Sequence, residues 1–131
     1  MSNKIGKLKV CRVHDLNEHK SMVNFAIVRN LIFPINSAVH LPELAPSEDL
    51  FRFLMDAKKQ DNLSKLREGL DVFKKNIKGP NYRAVIAMIQ QEFLDKGFDV
   101  TLACYCENAD LCHRKIVAEE FSGYGYSVEI F

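Results

Sequence analysis

The chain has 131 residues, 47% of them hydrophobic and 27% charged, which is enough for one folded domain with a buried core. Its 18 basic and 17 acidic residues give a net charge of +1, which argues against a nucleic-acid-binding protein held by a broad basic surface. No apolar run approaches the roughly 20 residues that span a membrane, and the amino terminus lacks the apolar segment of a signal peptide. We therefore expect a cytoplasmic protein, with residues 1–131 forming a single domain.

The first third of the chain predicts two strands and an irregular connection. Residues 7–13 alternate between polar and apolar side chains, the period of a half-buried strand, and the polar residues 14–18 predict a loop. Residues 23–33 are rich in β-branched and aromatic side chains and predict a longer, buried strand that a proline ends. Residues 35–46 predict an irregular connection with a short extended piece around residues 39–41.

The middle of the chain predicts three helices. Ser47 can cap the first helix, which ends near Lys58, and residues 62–77 predict the second. Gly69 lies inside the second helix, where glycine costs about 1 kcal/mol relative to alanine. The third helix begins at a Gly-Pro pair and carries a strong apolar period over residues 82–94.

The last third predicts a strand over residues 98–105, a helix over residues 112–121 and a strand over residues 126–131. A strand–helix–strand sequence implies a right-handed crossover between parallel strands. The predicted fold is therefore α/β, a single small domain whose mostly parallel sheet of about four strands is flanked by helices.

Three of the four cysteines and a Cys-His-Arg triplet lie where the strand over residues 98–105 gives way to the following helix. Ligands of open α/β folds gather at such junctions. The first N–H groups of the helix, with His113 and Arg114, could hold a phosphate or carboxylate, and the same position would lower the pKa of the Cys112 thiol. In the alternative interpretation, Cys112 packs inward and Arg114 is solvated.

The same cluster contains the residue types that bind zinc, namely Cys104, Cys106, Cys112 and His113. The Cys-x-Cys spacing differs from the usual zinc knuckle, because both cysteines could reach one ion only at a distorted strand end. Cys104 could equally be a small buried residue of the strand. A zinc-stabilised domain therefore stays open as an alternative, and the leading interpretation assigns no metal ligand and no cofactor.

One enzyme class is excluded by spacing. Cysteine-dependent phosphatases require Cys-x₅-Arg, so that a loop wraps phosphate between a thiolate and a guanidinium. Here Cys106 is followed six residues later by Cys112, and Cys112 by Ala118. The chain therefore lacks the motif of that class.

Polar residues also stand out near the early strands: Arg12, His14, Asp15, Arg29 and Asn30. Arg29 lies within an apolar run, where a charge is costly to bury unless it is paired. Either it lies at an exposed edge or in a structural ion pair, or it joins Arg114 in the site.

Three segments resemble the bacterial and phage family catalogued as domain of unknown function 488. Residues 11–15 (Cys-Arg-Val-His-Asp) are similar to its Arg-Val-Tyr-Asp opening, with His14 in place of tyrosine. Residues 43–50 are similar to the Ala-Pro-Ser-x-x-Leu helix start of one branch. Cys104 and the triplet at residues 112–114 resemble the strand-end cysteine and Cys-His-Arg motif of another branch.

The chain departs from that family at two places. Many members have Cys-Ala-Glu where this chain has Cys104-Tyr105-Cys106, so the family's acid is absent or its role moves to Glu107. An Asp-Arg pair of one branch is replaced by Asn30-Leu31. The resemblance implies a compact α/β fold with a small-ligand site.

We hypothesise that the protein binds, and as a hydrolase or transferase processes, a small anionic ligand such as a nucleotide at residues 104–114. The predicted ligand-binding residues are Arg12, Arg29, Cys104 and Arg114. The predicted catalytic residues are Cys112 as the nucleophile, with Cys104 as an alternative, His113 beside the anion and Asp15 as an orienting or basic group. The alternative from another class is a non-catalytic, phage-encoded module that sequesters a ligand or binds a host protein.

Overall fold

The structure is a computed structural model that describes residues 5–131, in which one sheet is flanked by helices. The strands are β1 (Leu8–Arg12), β2 (Val23–Ala26), β3 (Val39–His40), β4 (Val100–Cys104) and β5 (Val128–Ile130). The helices are α1 (Leu16–His19), α2 (Glu48–Lys59), α3 (Leu63–Asn76), α4 (Pro80–Glu92) and α5 (His113–Gly123). The predicted α/β class is confirmed, with five strands rather than about four. None of the helices in this part of the chain has the length and apolarity needed to cross a membrane.

The sheet has the order β3-β2-β4-β1-β5, and every neighbouring pair is parallel. Strand β4 lies at the centre and is buried along its whole length, which explains why four of its five residues are apolar. Arg12, the last residue of β1, lies opposite Cys104, the last residue of β4. The carboxyl ends of these strands therefore meet at one edge of the sheet.

The chain leaves β1 and β4 toward opposite faces of the sheet. Leu16 of α1 packs with Cys11 and Ala103, whereas Val117 of α5 belongs to the main core together with Val10. Because neighbouring residues of a strand point to opposite faces, α1 and α5 lie on different sides of the sheet. The edge between the ends of β1 and β4 is thus the point where connections diverge, and open α/β sheets bind ligands at such points.

The predicted strand over residues 23–33 is wrong beyond Ala26. Residues 27–38 form bends and turns instead. The apolar residues of this segment do not contribute a strand to the core: the side chain of Ile32, for example, is 75% exposed. Ile27 and Val28 are buried in the main core, but the apolar residues 31–33 are exposed, so that apolar composition did not indicate burial there.

Side chains take the place of ladder hydrogen bonds just after β2. His113 bonds the carbonyl oxygen of Ile27 at 2.6 Å, and His40 bonds that of Val28 at 2.7 Å. With these carbonyl groups satisfied by imidazoles, the backbone can leave the sheet without burying unpaired polar groups.

The loop predicted for residues 14–18 is also wrong. Residues 13–15 form a 3₁₀ turn and residues 16–19 form α1. Leu16 is buried and fixes this short helix against the sheet, so that the polar residues around it cover one helical turn rather than an extended loop.

The other predicted elements are confirmed, with shifts of a few residues at their ends. Ser47 caps α2 by accepting a hydrogen bond from the N–H of Leu50, and Asn62 caps α3 by accepting one from the N–H of Lys65. Cys112, predicted inside the last helix, is instead the extended residue that precedes α5. This position matters for the site, because it turns the Cys112 side chain back toward β4.

Gly69 in α3 lets α2 and α3 pack closely. A Cβ atom at this position would lie 2.6 Å from Cδ2 of Leu54 and 3.0 Å from Cδ1 of Phe53. The glycine that weakened the helical pattern in the sequence is therefore explained by helix packing.

Candidate functional site

Cys104, Cys106 and Cys112 form one group at the carboxyl edge of the sheet, here called the thiol cluster. Their three sulfur atoms lie within 4.8 Å of one another, and the sulfurs of Cys104 and Cys112 are 2.9 Å apart. Cys104 and Cys112 are buried, whereas Cys106 is partly exposed. The cluster therefore has two buried thiols and one that solvent can reach.

The local backbone explains how a Cys-x-Cys pair and a distant cysteine meet. Strand β4 ends at Cys104, and the chain then turns instead of continuing the pleat. The side chain of Asn108 accepts a hydrogen bond from the N–H of Asp110 at 2.9 Å, which starts a 3₁₀ turn over residues 109–111. That turn brings Cys112 back over the end of β4.

His113 is fixed in one tautomer. Its Nε2 lies 2.6 Å from the carbonyl oxygen of Ile27. Since a carbonyl oxygen can only accept, Nε2 carries the proton and Nδ1 presents a lone pair when the ring is neutral. Nδ1 faces the thiol cluster, 3.7 Å from Sγ of Cys112.

Arg114 is a buried cation at the base of the cluster, with 1% of its surface exposed. Its Nη1 donates to Sγ of Cys104 at 3.3 Å and to the carbonyl oxygen of Cys106 at 2.6 Å. Its remaining N–H groups donate to the carbonyl oxygens of Glu107 and Phe131. The guanidinium is thus fully used within the chain.

No ion pair among residues 5–131 involves Arg114. A buried charge without a counter-charge is costly, and breaking a buried pair by removing one partner costs about 3–5 kcal/mol. Arg114 contacts one side chain that can carry a negative charge, the thiol of Cys104. The burial of Arg114 therefore favours a thiolate in the cluster.

That negative charge belongs on Cys106. Hydrogen bonds from the thiols of Cys104 and Cys112, together with the nearby charge of Lys58, bring the pKa of Cys106 far below its ordinary value. The hydrogen bond to Cys106 and burial raise the pKa of Cys104, and burial raises the pKa of Cys112 to about 12. Among the three thiols, these shifts favour the negative charge on Cys106, the partly exposed member.

Cys106 opens into a cleft of about 280 Å³ between the α2–α3 junction and residues 106–111. Nζ of Lys58, from the last turn of α2, lies 3.2 Å from Sγ of Cys106. The cleft is lined by both polar and apolar residues: Asp61, Asn62, Glu107 and Asn108, and Ala57, Leu63, Leu66 and Leu111. A small molecule in this cleft would contact a thiolate and an ammonium group together.

The comparisons with known proteins identify the family. The model of DUF488-N3a, described as the active DUF488-N3 subclade, matches residues 8–125. The chain belongs to the DUF488 family. No curated protein and no solved structure matches it. The family membership inferred from the sequence is confirmed, while the matching of individual motifs to individual residues stays a prediction.

The match to DUF488-N3a covers the whole thiol cluster. The geometry of the cluster can also be compared with that of a metal site. Three cysteines with sulfurs within 4.8 Å meet the ligand chemistry of a thiophilic ion. Zinc holds sulfur at about 2.3 Å, which places two sulfurs of a tetrahedral site about 3.8 Å apart. The Cys104–Cys112 sulfurs are closer, at 2.9 Å, and two of the sulfurs accept hydrogen bonds from cations. In this arrangement Cys104 and Cys112 are therefore too close together to be two ligands of one zinc ion.

The predicted early residues of this DUF488 protein lie apart from the cluster or are already paired. Arg12 and Asp15 form an ion pair, with Nε to Oδ2 at 3.0 Å, at the end of β1. This pairing raises the pKa of Arg12 and lowers that of Asp15. Arg29 is not in a strand: it donates to the carbonyl oxygens of Pro42, Ala45 and Pro46, and so ties down the segment before α2.

Two parts of the site were missed by sequence reasoning. The sequence predicts for Lys58 only that it lies at the end of a helix. No local signal connects it to Cys106, 48 residues away. The carbonyl oxygen of Ile27, which fixes His113, carries no sequence signature at all. Cys106 belongs to the Cys-x-Cys pair, and the sequence suggests only one role for it, that of a zinc ligand.

Proposed function

We propose that this DUF488 protein binds a small anionic ligand in the cleft beside Cys106 and that the Cys106 thiolate attacks it as a nucleophile. The observation that carries the proposal is the position of Cys106, the exposed thiol of the cluster, 3.2 Å from Nζ of Lys58 at the mouth of a cleft. The description of DUF488-N3a as an active subclade is in keeping with a site that performs chemistry.

The residues around Cys106 suit a nucleophile. A thiolate, not a thiol, attacks electrophiles, and nearby cations lower thiol pKa values. Attack would form a bond between Sγ of Cys106 and an electrophilic carbon or phosphorus of the ligand, while the leaving group departs with its electron pair. Water or a second acceptor would then take the bound group, which makes the protein a hydrolase or a transferase.

Lys58 gives the site its preference for anions. Its ammonium group is exposed and reaches the cleft, so that it can contact a negatively charged ligand while remaining close to the sulfur. Asp61 and Glu107 on the same cleft would disfavour a ligand of high negative charge. We therefore propose a ligand with one anionic group, such as a nucleoside monophosphate or a carboxylate.

The sequence suggested Cys112 as the nucleophile, whereas we now propose Cys106. Cys112 is buried, and its raised pKa keeps it protonated near neutral pH. Arg114, with every N–H group bonded within the chain, would act by stabilising the thiolate rather than by contacting the ligand.

Thermal-shift measurements over nucleoside monophosphates, inorganic phosphate and small carboxylates would test binding. We expect at least one of these anions to raise the melting temperature of the wild type and of Lys59→Met, but not of Lys58→Met. Lys59 is the matched control, because it is the neighbouring exposed lysine at the end of the same helix. Stabilisation by none of the anions would contradict the proposal.

Because a free carboxylate or inorganic phosphate has no leaving group, mass spectrometry of the protein incubated with the p-nitrophenyl ester of each stabilising anion would test the chemistry. A covalent adduct should form on the wild type and on Cys11→Ser and should be absent from Cys106→Ser. Cys11 is a buried cysteine on the opposite face of the sheet from the cluster, which makes it a suitable control. Binding without an adduct or turnover would instead support the non-catalytic module.

A further inference from the structure

We infer that the thiol cluster reduces hydroperoxides, with Cys106 as the oxidised thiol and a disulfide between Cys104 and Cys112 as the product. The inference shares Cys106 with the proposed function but needs no anionic ligand. It rests on the grouping of three sulfurs within 4.8 Å, of which one belongs to a partly exposed cysteine and two to buried cysteines. Such an accessible thiol beside resolving cysteines is the arrangement of oxidation-sensitive sites.

In the first step, Sγ of Cys106 attacks the terminal oxygen of a hydroperoxide. A sulfur–oxygen bond forms, the oxygen–oxygen bond breaks, and the alkoxide leaves with its electron pair and takes a proton from water. Cys106 becomes a sulfenic acid. Lys58, 3.2 Å from this sulfur, favours the thiolate that performs the attack and can stabilise the departing alkoxide.

In the second step, the buried Cys112 thiol attacks the sulfur of the Cys106 sulfenic acid. A disulfide bond forms, the sulfur–oxygen bond breaks, and hydroxide leaves as water with the proton of the Cys112 thiol. Nδ1 of His113, 3.7 Å from Sγ of Cys112, faces the attacking thiol with a lone pair and is placed to accept that proton. The fixed tautomer of His113 thus gives the resolving thiol a base.

In the third step, Cys104 attacks the sulfur of Cys112 and releases Cys106 as a thiolate. The two sulfurs are already 2.9 Å apart, which leaves less than about 1 Å of movement before they reach disulfide bonding distance. Arg114 contacts Sγ of Cys104 at 3.3 Å and can stabilise the Cys104 thiolate once Cys106, bound to Cys112, no longer carries the negative charge. The proton released by Cys104 balances the one consumed in the first step.

Summed over the three steps, the thiols of Cys104 and Cys112 supply two electrons, and the hydroperoxide becomes an alcohol and water. Cys106 returns to its starting state. Reduction of the Cys104–Cys112 disulfide by an external dithiol would be needed for a second cycle, so a single turnover is the direct test.

The experiment treats the reduced full chain with one equivalent of hydrogen peroxide or tert-butyl hydroperoxide, without other ligands. We expect peroxide consumption together with a mass loss of two hydrogen atoms. Proteolysis after Glu107 separates Cys112 from the other two cysteines, and fragmentation of the linked peptides should then place the disulfide at Cys104–Cys112. Cys106 should remain free to alkylation.

Variants separate the steps. Cys106→Ser and Cys106→Ala should both lose rapid peroxide consumption, Cys112→Ser should accumulate a sulfenic acid that dimedone traps, and Cys104→Ser should stop at a Cys106–Cys112 disulfide. The control Cys11→Ser should behave as the wild type.

Three results would overturn the inference. They are unchanged consumption in both folded Cys106 variants, oxidation of Cys106 to sulfinic acid without a disulfide, and about one zinc per chain in protein purified without chelator, with thiols that resist alkylation. The anion-binding measurements use no peroxide, and the peroxide experiment uses no anionic ligand. Failure of the proposed function and failure of the peroxide reduction can therefore be told apart.

Discussion

Nη1 of Arg114 lies 3.3 Å from Sγ of Cys104, and both side chains are buried. This contact joins the first turn of α5 to the last residue of β4 and places a permanent positive charge beneath the thiol cluster. The same guanidinium holds the carbonyl oxygens of Cys106 and Phe131. The side chain of Arg114 therefore holds the loop after β4 in shape and places a positive charge beside the thiol cluster.

Replacement of Arg114 by methionine should destabilise the protein strongly. The change removes the buried cation beneath the thiol cluster and leaves three backbone oxygens without a donor, so we expect the free energy of unfolding to fall by about 3–5 kcal/mol. Urea denaturation would measure this loss.

The matched control is Arg83→Met, because Arg83 is an exposed arginine of α4. It should change the free energy of unfolding by no more than about 0.5 kcal/mol. Equal effects of the two replacements would show that the bonds of Arg114 do not stabilise the fold.

Replacement of His113 by phenylalanine should cost about 1–3 kcal/mol of stability, because it leaves the buried carbonyl oxygen of Ile27 unpaired in a site of similar shape. His40→Phe removes a comparable bond to Val28 from a partly exposed site, where water can replace the imidazole. We therefore expect a smaller loss for His40→Phe in the same denaturation experiment. The reverse order would contradict the role assigned to His113.

The sequence predicted the fold class, and it indicated a cysteine cluster at the junction of β4 and α5, because both depend on local patterns. Strand β4 is a run of apolar residues, α5 follows it, and parallel connectivity brings strand ends to one edge whatever the tertiary details. The Cys-His-Arg triplet was found for the same reason, since it lies next to a pattern change that marks the end of β4.

The organisation of the site could not be predicted, because it depends on groups far apart along the chain. Arg114 looked like an anion ligand, but carbonyl groups from residues 106, 107 and 131 converge on it and bury it. Lys58 meets Cys106 only through the packing of α2. The strand predicted to reach residue 33 failed because apolar content does not distinguish a buried strand from an exposed apolar loop.

Gly6→Ala should be destabilising although Gly6 lies far from the thiol cluster. A Cβ atom there would lie 1.9 Å from the backbone oxygen of Phe98, and the N–H of Gly6 is bonded to the carbonyl oxygen of Leu94 at 2.8 Å. Since two backbone segments must move apart, we expect a loss of about 1–3 kcal/mol in denaturant unfolding.

Gly123→Ala is the control of opposite sign. An added Cβ at Gly123 meets no atom within 4 Å, and this residue ends α5. We expect a gain of up to about 1 kcal/mol from helix propensity. If Gly6→Ala were neutral as well, the close approach of Gly6 to Phe98 would not restrict that position.

The contact between Tyr126 and Asp95 should make stability fall at alkaline pH. The hydroxyl of Tyr126 donates to Oδ1 of Asp95 at 2.6 Å, and burial together with this carboxylate raises the pKa of Tyr126 from 10.0 to about 12. The folded state therefore holds the proton more tightly than the unfolded state. The contribution is complete below the unfolded pKa and is lost as the pH rises toward the folded one.

In Tyr126→Phe this linkage is removed. The difference in free energy of unfolding between the wild type and Tyr126→Phe should therefore be constant below about pH 9 and should shrink as the pH approaches about 12. Tyr124→Phe is the control, because it removes the hydroxyl of an exposed tyrosine two residues away and keeps the Tyr126–Asp95 bond, so it should retain the wild type's alkaline loss of stability. Denaturant unfolding at a series of pH values would measure both differences. A flat difference for Tyr126→Phe would mean that the hydroxyl does not keep its proton against Asp95, so that this bond does not hold the turn before β5 to the segment after α4.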